Sequence, residues 1–134
     1  MATTRKLEGI LAAKYIDQLR LESTTYNKSI KIFKIHGGQY QTISIPDYIG
    51  SYGGIFLAIE FKVFPEKIKG GQRDFLLDLA RSGAVAIGLT FIENWKSSIS
   101  PLGLLNRAIV EADLMRDIIE QQYGYKGTKL VNVS

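Results

Sequence analysis

Apolar positions recur at helical spacing near the start of the chain, where Leu7, Ile10, Leu11, Tyr15 and Leu19 share one side of a helix expected over residues 5–20. Residues 21–29 are polar and read as a loop. Residues 29–35 alternate, with Ile30, Ile32 and Lys34 on one side and Lys31, Phe33 and Ile35 on the other, which is the period of a strand. A polar loop holding Gly37 and Gly38 follows over 36–44. Residues 45–49 and 55–63 are rich in β-formers, and Gly53-Gly54 between them suits a two-residue hairpin turn that requires positive φ. After Gly70-Gly71 the spacing is helical again over 72–82, with Phe75, Leu76 and Leu79 inward and Gly83 placed to end the helix in a left-handed conformation. Residues 84–92 are apolar almost throughout, as expected of a strand covered on both faces. Ser100-Pro101, a cap followed by proline in the first turn, starts a last helix expected to run to Tyr123 and stop at Gly124. Its apolar stripe of Leu102, Leu105, Ile109, Ala112 and Ile119 is read as covering the core, with contact to a second copy as the alternative. The predicted order is α-β-β-β-α-β-α, an α/β fold with a mixed sheet flanked by helices.

Composition narrows the chemistry. A chain of 134 residues that is 46% hydrophobic and 22% charged has the size and core of one domain, residues 1–134. It contains no cysteine, which excludes disulfides, thiol nucleophiles and cysteine-ligated zinc, and its single histidine, His36, excludes a multi-histidine metal site. Any catalysis must run on carboxylates, lysines and hydroxyls. No apolar run approaches the roughly 20 residues of a membrane span, and Lys14 and Asp17 interrupt the segment after Arg5 and Lys6, so no signal peptide is read. The expectation is a soluble, intracellular, cytoplasmic protein. The net charge of +4 is concentrated in residues 1–40, with seven basic residues against three acidic, while the remainder balances at ten against ten. That placement suits an anionic partner such as nucleic acid, or a solvated face.

The hairpin carries the candidate chemistry. A turn centred on Gly53-Gly54 sets Tyr52 opposite Ile55, and counting back along both strands sets Asp47 opposite Glu60. Alternation puts Glu60 and Lys62 on one face of the second strand, with Ile55, Leu57, Ile59 and Phe61 on the other. Directly opposite residues have Cβ atoms roughly 5 Å apart. Two carboxylates that close repel unless a positive charge lies between them. A divalent cation with hard-oxygen preference, Mg²⁺ above all, meets that need, and the Phe61 carbonyl between the polar side chains is a further oxygen donor. Lys62 then stands where it can orient water toward a phosphorus or stabilise negative charge on it. The constellation reads as metal-dependent phosphodiester hydrolysis. The competing reading is an edge hairpin with a merely solvated end.

Pro46-Asp47, then Glu60-Phe61-Lys62, then Gln72 at the start of the next helix resembles the PD-(D/E)XK nuclease superfamily and its restriction-endonuclease-like core. More narrowly, the chain resembles the virus-type replication-repair nuclease (VRR-NUC) domain. The resemblance covers about residues 7–92, and includes Lys34-Ile35-His36-Gly37 and Arg81-Ser82-Gly83-Ala84-Val85-Ala86; residues 100–134 lie outside it. It implies Asp47 and Glu60 as metal ligands, Lys62 as the catalytic lysine, Gln72 as an active-site residue and Glu8 as a further metal-site acid. Stand-alone members of that kind include dimeric Holliday-junction resolvases, so the resemblance implies branched DNA as partner, a homodimer, and a viral origin. Mn²⁺ is the natural substitute for Mg²⁺. The chain departs from the family in having Ser44 where glycine is common, and Val63-Phe64 where a further basic residue is often found.

Several residues carry weaker expectations. Glu8 shares a helical side with Leu11, Ala12 and Tyr15 and so borders the buried stripe; the plainer reading is a first-turn glutamate favoured by the helix dipole. Gln72 can instead satisfy exposed first-turn amides. Lys31, Lys34, His36, Tyr40 and Ser44 are candidates for a DNA path, against the simpler reading of a solvated edge and loop. A flap or single-strand endonuclease, a non-catalytic DNA-binding recombination accessory protein, and a nuclease that needs a targeting partner are the alternative functions.

Overall fold

The computed structural model describes residues 4–35, 45–92 and 99–124. Among them run α1 (Thr4–Thr25), β1 (Ile30–Lys34), β2 (Tyr48–Tyr52), β3 (Ile55–Val63), α2 (Gly70–Arg81), β4 (Val85–Ile92), α3 (Pro101–Met115) and β5 (Ile119–Gly124). The strands form one mixed sheet in the order β1-β2-β3-β4-β5. The first three are antiparallel neighbours, and β3, β4 and β5 run parallel. Sequence order is spatial order because hairpin connections build one half and helical crossovers through α2 and α3 build the other. The result is an α/β architecture compatible with a restriction-endonuclease-like core.

Two apolar clusters lie on the two faces of the sheet. On one, Leu57, Ile59, Phe61, Leu89 and Phe91 pack with the inner residues of α1 and α3. Tyr15 of α1 meets Phe61, Phe91 and Tyr123 edge-on, while Phe61 and Phe91 stack on adjacent strands. On the other face Ala58, Ala86, Ile68, Leu76, Ala80 and Ile118 form a smaller cluster beneath α2. Small residues on the strands make room for this layer: Ile68, in the segment leading into α2, takes the space that a Cβ at Gly88 would fill.

Four expectations need correction. The first helix extends to Thr25 because Ser23, Thr24 and Thr25 bond back to the carbonyls of Leu19, Arg20 and Leu21 instead of opening a loop. The first hairpin strand begins at Tyr48, not at residue 45, since the backbone before it leaves the ladder. In α2 it is Leu76 and Ala80 that are buried, while Phe75 is 37% exposed, because the helix packs through that pair onto Ala58 and Ala86 of β3 and β4. The last helix stops at Met115, where Arg116 takes up a left-handed φ of 49°, and the chain continues as an eighth element, β5, parallel to β4. The Ser100 cap is as expected, its hydroxyl accepting from the Gly103 amide at 3.0 Å.

Gly50 on β2 has no room for a side chain, since a Cβ there would sit 2.2 Å from the Lys31 carbonyl oxygen and 2.6 Å from the Ile32 Cα. These are backbone atoms that cannot swing away. Gly50→Ala is therefore expected to prise β1 from β2 and cost about 1–3 kcal/mol, read as a lower urea midpoint at unchanged slope.

Candidate metal centre

The hairpin positions the site. Gly53 and Gly54 carry φ values of 55° and 86°, the mirror-image turn that matches strand twist. From that turn the register runs from Tyr52 opposite Ile55 to Tyr48 opposite Ile59. One step further Asp47 faces Glu60, just outside the paired ladder. There the two acids replace the missing ladder bonds. The Asp47 amide donates to Glu60 Oε2 at 3.2 Å, and the Phe61 amide donates to Asp47 Oδ2 at 3.0 Å. Each carboxylate thus takes an N–H from the opposite strand.

Other elements complete the cluster. From the first turn of α2, the Gln72 amide Nε2 donates to Glu60 Oε1 at 3.2 Å. The Lys62 Nζ stands 3.8 Å from the same oxygen, with its side chain largely enclosed. Glu8 reaches the group from α1, and one carboxylate oxygen from each of Glu8, Asp47 and Glu60 lies within 4.8 Å of the others. Glu60 is only 2% exposed. Burial first, and then the charge of Asp47, push its carboxyl up to about 8, while Lys62 pulls it down. Three hard oxygen donors with more negative charge than one lysine neutralises fit a small divalent cation.

The remaining expected residues are placed less centrally. Lys34 is exposed opposite Tyr48, on the face away from the acids, whereas Lys31 lies opposite Ser51 toward the hairpin turn, on the face of the acids. With odd spacing they project to opposite faces of the sheet, so they do not line one path. His36, Tyr40 and Ser44 lie outside the described residues. What the residue pattern did not anticipate is the Phe61 amide as a donor to Asp47. The signal available was the mouth of the hairpin itself, where an unpaired amide needs an acceptor.

No protein-family model matches the chain, and no curated protein matches it in sequence. Among solved structures, SfsA from Pyrococcus furiosus, determined in complex with Ca²⁺, is similar at a TM-score of 0.39 and 16% identity, covering 79% of this chain and 52% of that one. The chain spans about half the length of that neighbour. No helix among the described residues is long and apolar enough to cross a membrane.

Glu60 makes stability depend on pH. Its folded value lies above the ordinary 4.5, so between about 4.5 and 8 the folded chain holds a proton that the unfolded chain has released. Metal-free stability is expected to fall as pH rises through that window. Glu60→Gln should flatten the slope, and saturating Mg²⁺ or Mn²⁺ should raise the melting temperature most near pH 8, where no proton need be displaced.

Proposed function

We propose that this protein is a Mg²⁺-dependent DNA endonuclease of the PD-(D/E)XK type, of the virus-type replication-repair kind, and that branched DNA, a four-way junction above all, is its substrate. The observation that carries the reading is the convergence of Glu8, Asp47, Glu60, Lys62 and Gln72 at the mouth of one hairpin. Glu8, Asp47, Glu60 and the Phe61 carbonyl would hold the cation. When bound, Mg²⁺ supplies Lewis-acid polarisation of a phosphodiester, with Mn²⁺ as substitute.

The protein's own groups do the rest. Lys62, enclosed beside Glu60, keeps a positive charge where negative charge develops on phosphorus and can orient the attacking water. Gln72 fixes one Glu60 oxygen, and the Asp47 amide fixes the other, so the carboxylate is oriented before substrate arrives. Asp47 is held in turn by the Phe61 amide.

Paired cleavage of a junction needs two such sites, and a two-fold homodimer supplies them. The outer face of α3 supports a second copy: Val110, Leu114 and Met115 are 64%, 84% and 60% exposed. Leu114→Lys is expected to convert a dimer to a monomer by light scattering and to uncouple the two nicks of a junction.

The direct test is cleavage of end-labelled four-way junction, flap, linear duplex and single strand in Mg²⁺. Symmetric paired nicks in the junction, abolished by Asp47→Asn, are expected. Lys62→Met should retain metal binding but slow cutting by about 100-fold or more. Cutting confined to flaps or single strands replaces the junction with those substrates. No cutting in Mg²⁺ or Mn²⁺ leaves a DNA-binding accessory protein or a partner-dependent enzyme.

A further inference from the structure

Of the six phenylalanines, four lie on strands, two on each face of the sheet, while Phe75 is on α2 and Phe64 follows β3. Phe61 and Phe91 are buried on the face covered by α1 and α3. The opposite face is the one that carries the acids. The register aligns Phe33 with Ile49 and Ala58, and Ala58 lies under α2. The same register aligns Lys31 with Ser51 and Phe56, and the next row in the other direction is Asp47 with Glu60. Phe33, Phe56, Lys31 and the acid pair therefore share one face, and Phe33 is one row, about 7 Å along the strand, from the acids.

Over that face α2 covers only part. Its Leu76 and Ala80 pack on the β3–β4 side. Gln72 touches Glu60, Leu79 lines a shared hollow with Phe56, and Phe75 lies between them on the same side of the helix. Among the described residues no helix covers the floor formed by β1 and β2; Ile49 of β2 packs at the rim of the α2 cluster, and α2 stands beside the floor as a wall. Phe33, Phe56 and Phe75 are 47%, 44% and 37% exposed, and among the described residues none of them is in a ring pair. Such a surface is unsuited to a duplex, whose accessible surface is mainly phosphate and sugar and calls for rows of cations. Exposed rings with a single lysine suit unstacked bases, because every base presents a π-face and the lysine can meet a phosphate.

We propose that this groove, lined by Lys31, Phe33, Ile49, Phe56 and Phe75, seats an unpaired strand of the nucleic-acid substrate and leads it to the acid cluster. The proposal rests on the nuclease reading and deepens it. Continuity with the acid cluster on one face, and the Lys31 cation among the exposed rings, favour a nucleic acid over a protein as the occupant. Structure selectivity then arises from base accessibility: a flap or an opened branch point offers unstacked bases, and a closed duplex does not.

The test separates binding from cutting. Anisotropy in Ca²⁺ compares a short labelled single strand with the matching duplex, and quenching of 2-aminopurine in the single strand reports stacking. Phe33→Ala and Phe56→Ala are each expected to weaken single-strand binding by roughly tenfold, reduce the quench and leave duplex binding within about twofold. Phe33→Trp should restore the quench, and circular dichroism confirms that each variant is folded. Equal losses on both nucleic acids, no loss on either, or no single-strand binding by the unaltered protein would overturn the groove. A shift from dimer to monomer in Phe33→Ala would overturn it in favour of a second copy on this face. If the protein cuts DNA while Phe33→Ala and Phe56→Ala behave as wild type, the nuclease reading stands and the groove falls. If it cuts nothing but shows the strand-selective loss, the groove stands as a binding site and the nuclease reading falls.

Discussion

The Asp47–Glu60 crossing at the mouth of the hairpin is the contact on which the rest of the arrangement depends. Each acid accepts an amide of the facing strand, so the two carboxylates serve as ladder bonds beyond the last paired residues. That arrangement brings two negative charges together in a nearly dry place, which is unfavourable for the free chain and shows in the upward displacement of the Glu60 proton affinity. A cation between them would relieve the conflict. The local cost of the site is thus the same feature that would favour a bound cation.

The remainder of the fold supports that crossing from both sides. Behind it, Phe61 is locked in an aromatic cluster with Tyr15, Tyr48 and Phe91, which gives β3 little freedom to slide. In front, Ile68 fills the space left by Gly88, seating the approach to α2 so that Gln72 reaches Glu60. Sliding β3 by one residue would send Glu60 and Lys62 into the apolar layer and Phe61 into the site. The hydrophobic pattern therefore protects the geometry of the polar cluster.

The uncovered floor beside α2 has a topological origin. Helical crossovers exist only where strands run parallel, so α2 lies over the β3–β4 side, and among the described residues no helix covers the antiparallel β1–β2 pair on that face. The carboxylate cluster thus sits at the border between covered and uncovered sheet among the described residues, with Glu60 buried and Glu8 and Asp47 half-buried.

Much of this was legible in the residues. The Gly53-Gly54 turn and the period-two alternation were enough to place Asp47 opposite Glu60 and to put Lys62 on the same face, because a two-residue turn leaves one register and a strand has a strict period. The Ser100-Pro101 start and the Gly83 stop were likewise local chemistry, decided by a side-chain cap and a left-handed backbone. Arg116 hid the end of α3, since a left-handed arginine has no sequence signature and Ile119 continued the helical stripe across it. Whether that apolar segment joins a helix or pairs with β4 depends on an open sheet edge, which only the assembled sheet provides. The same holds for Phe75, apolar at an inward-looking position yet left half-bare, and for Glu8, whose reach to the acids depends on how α1 docks. Local order was written in turns, caps and periods; which surfaces are covered, and which distant acids meet, was decided by packing between elements far apart in the chain.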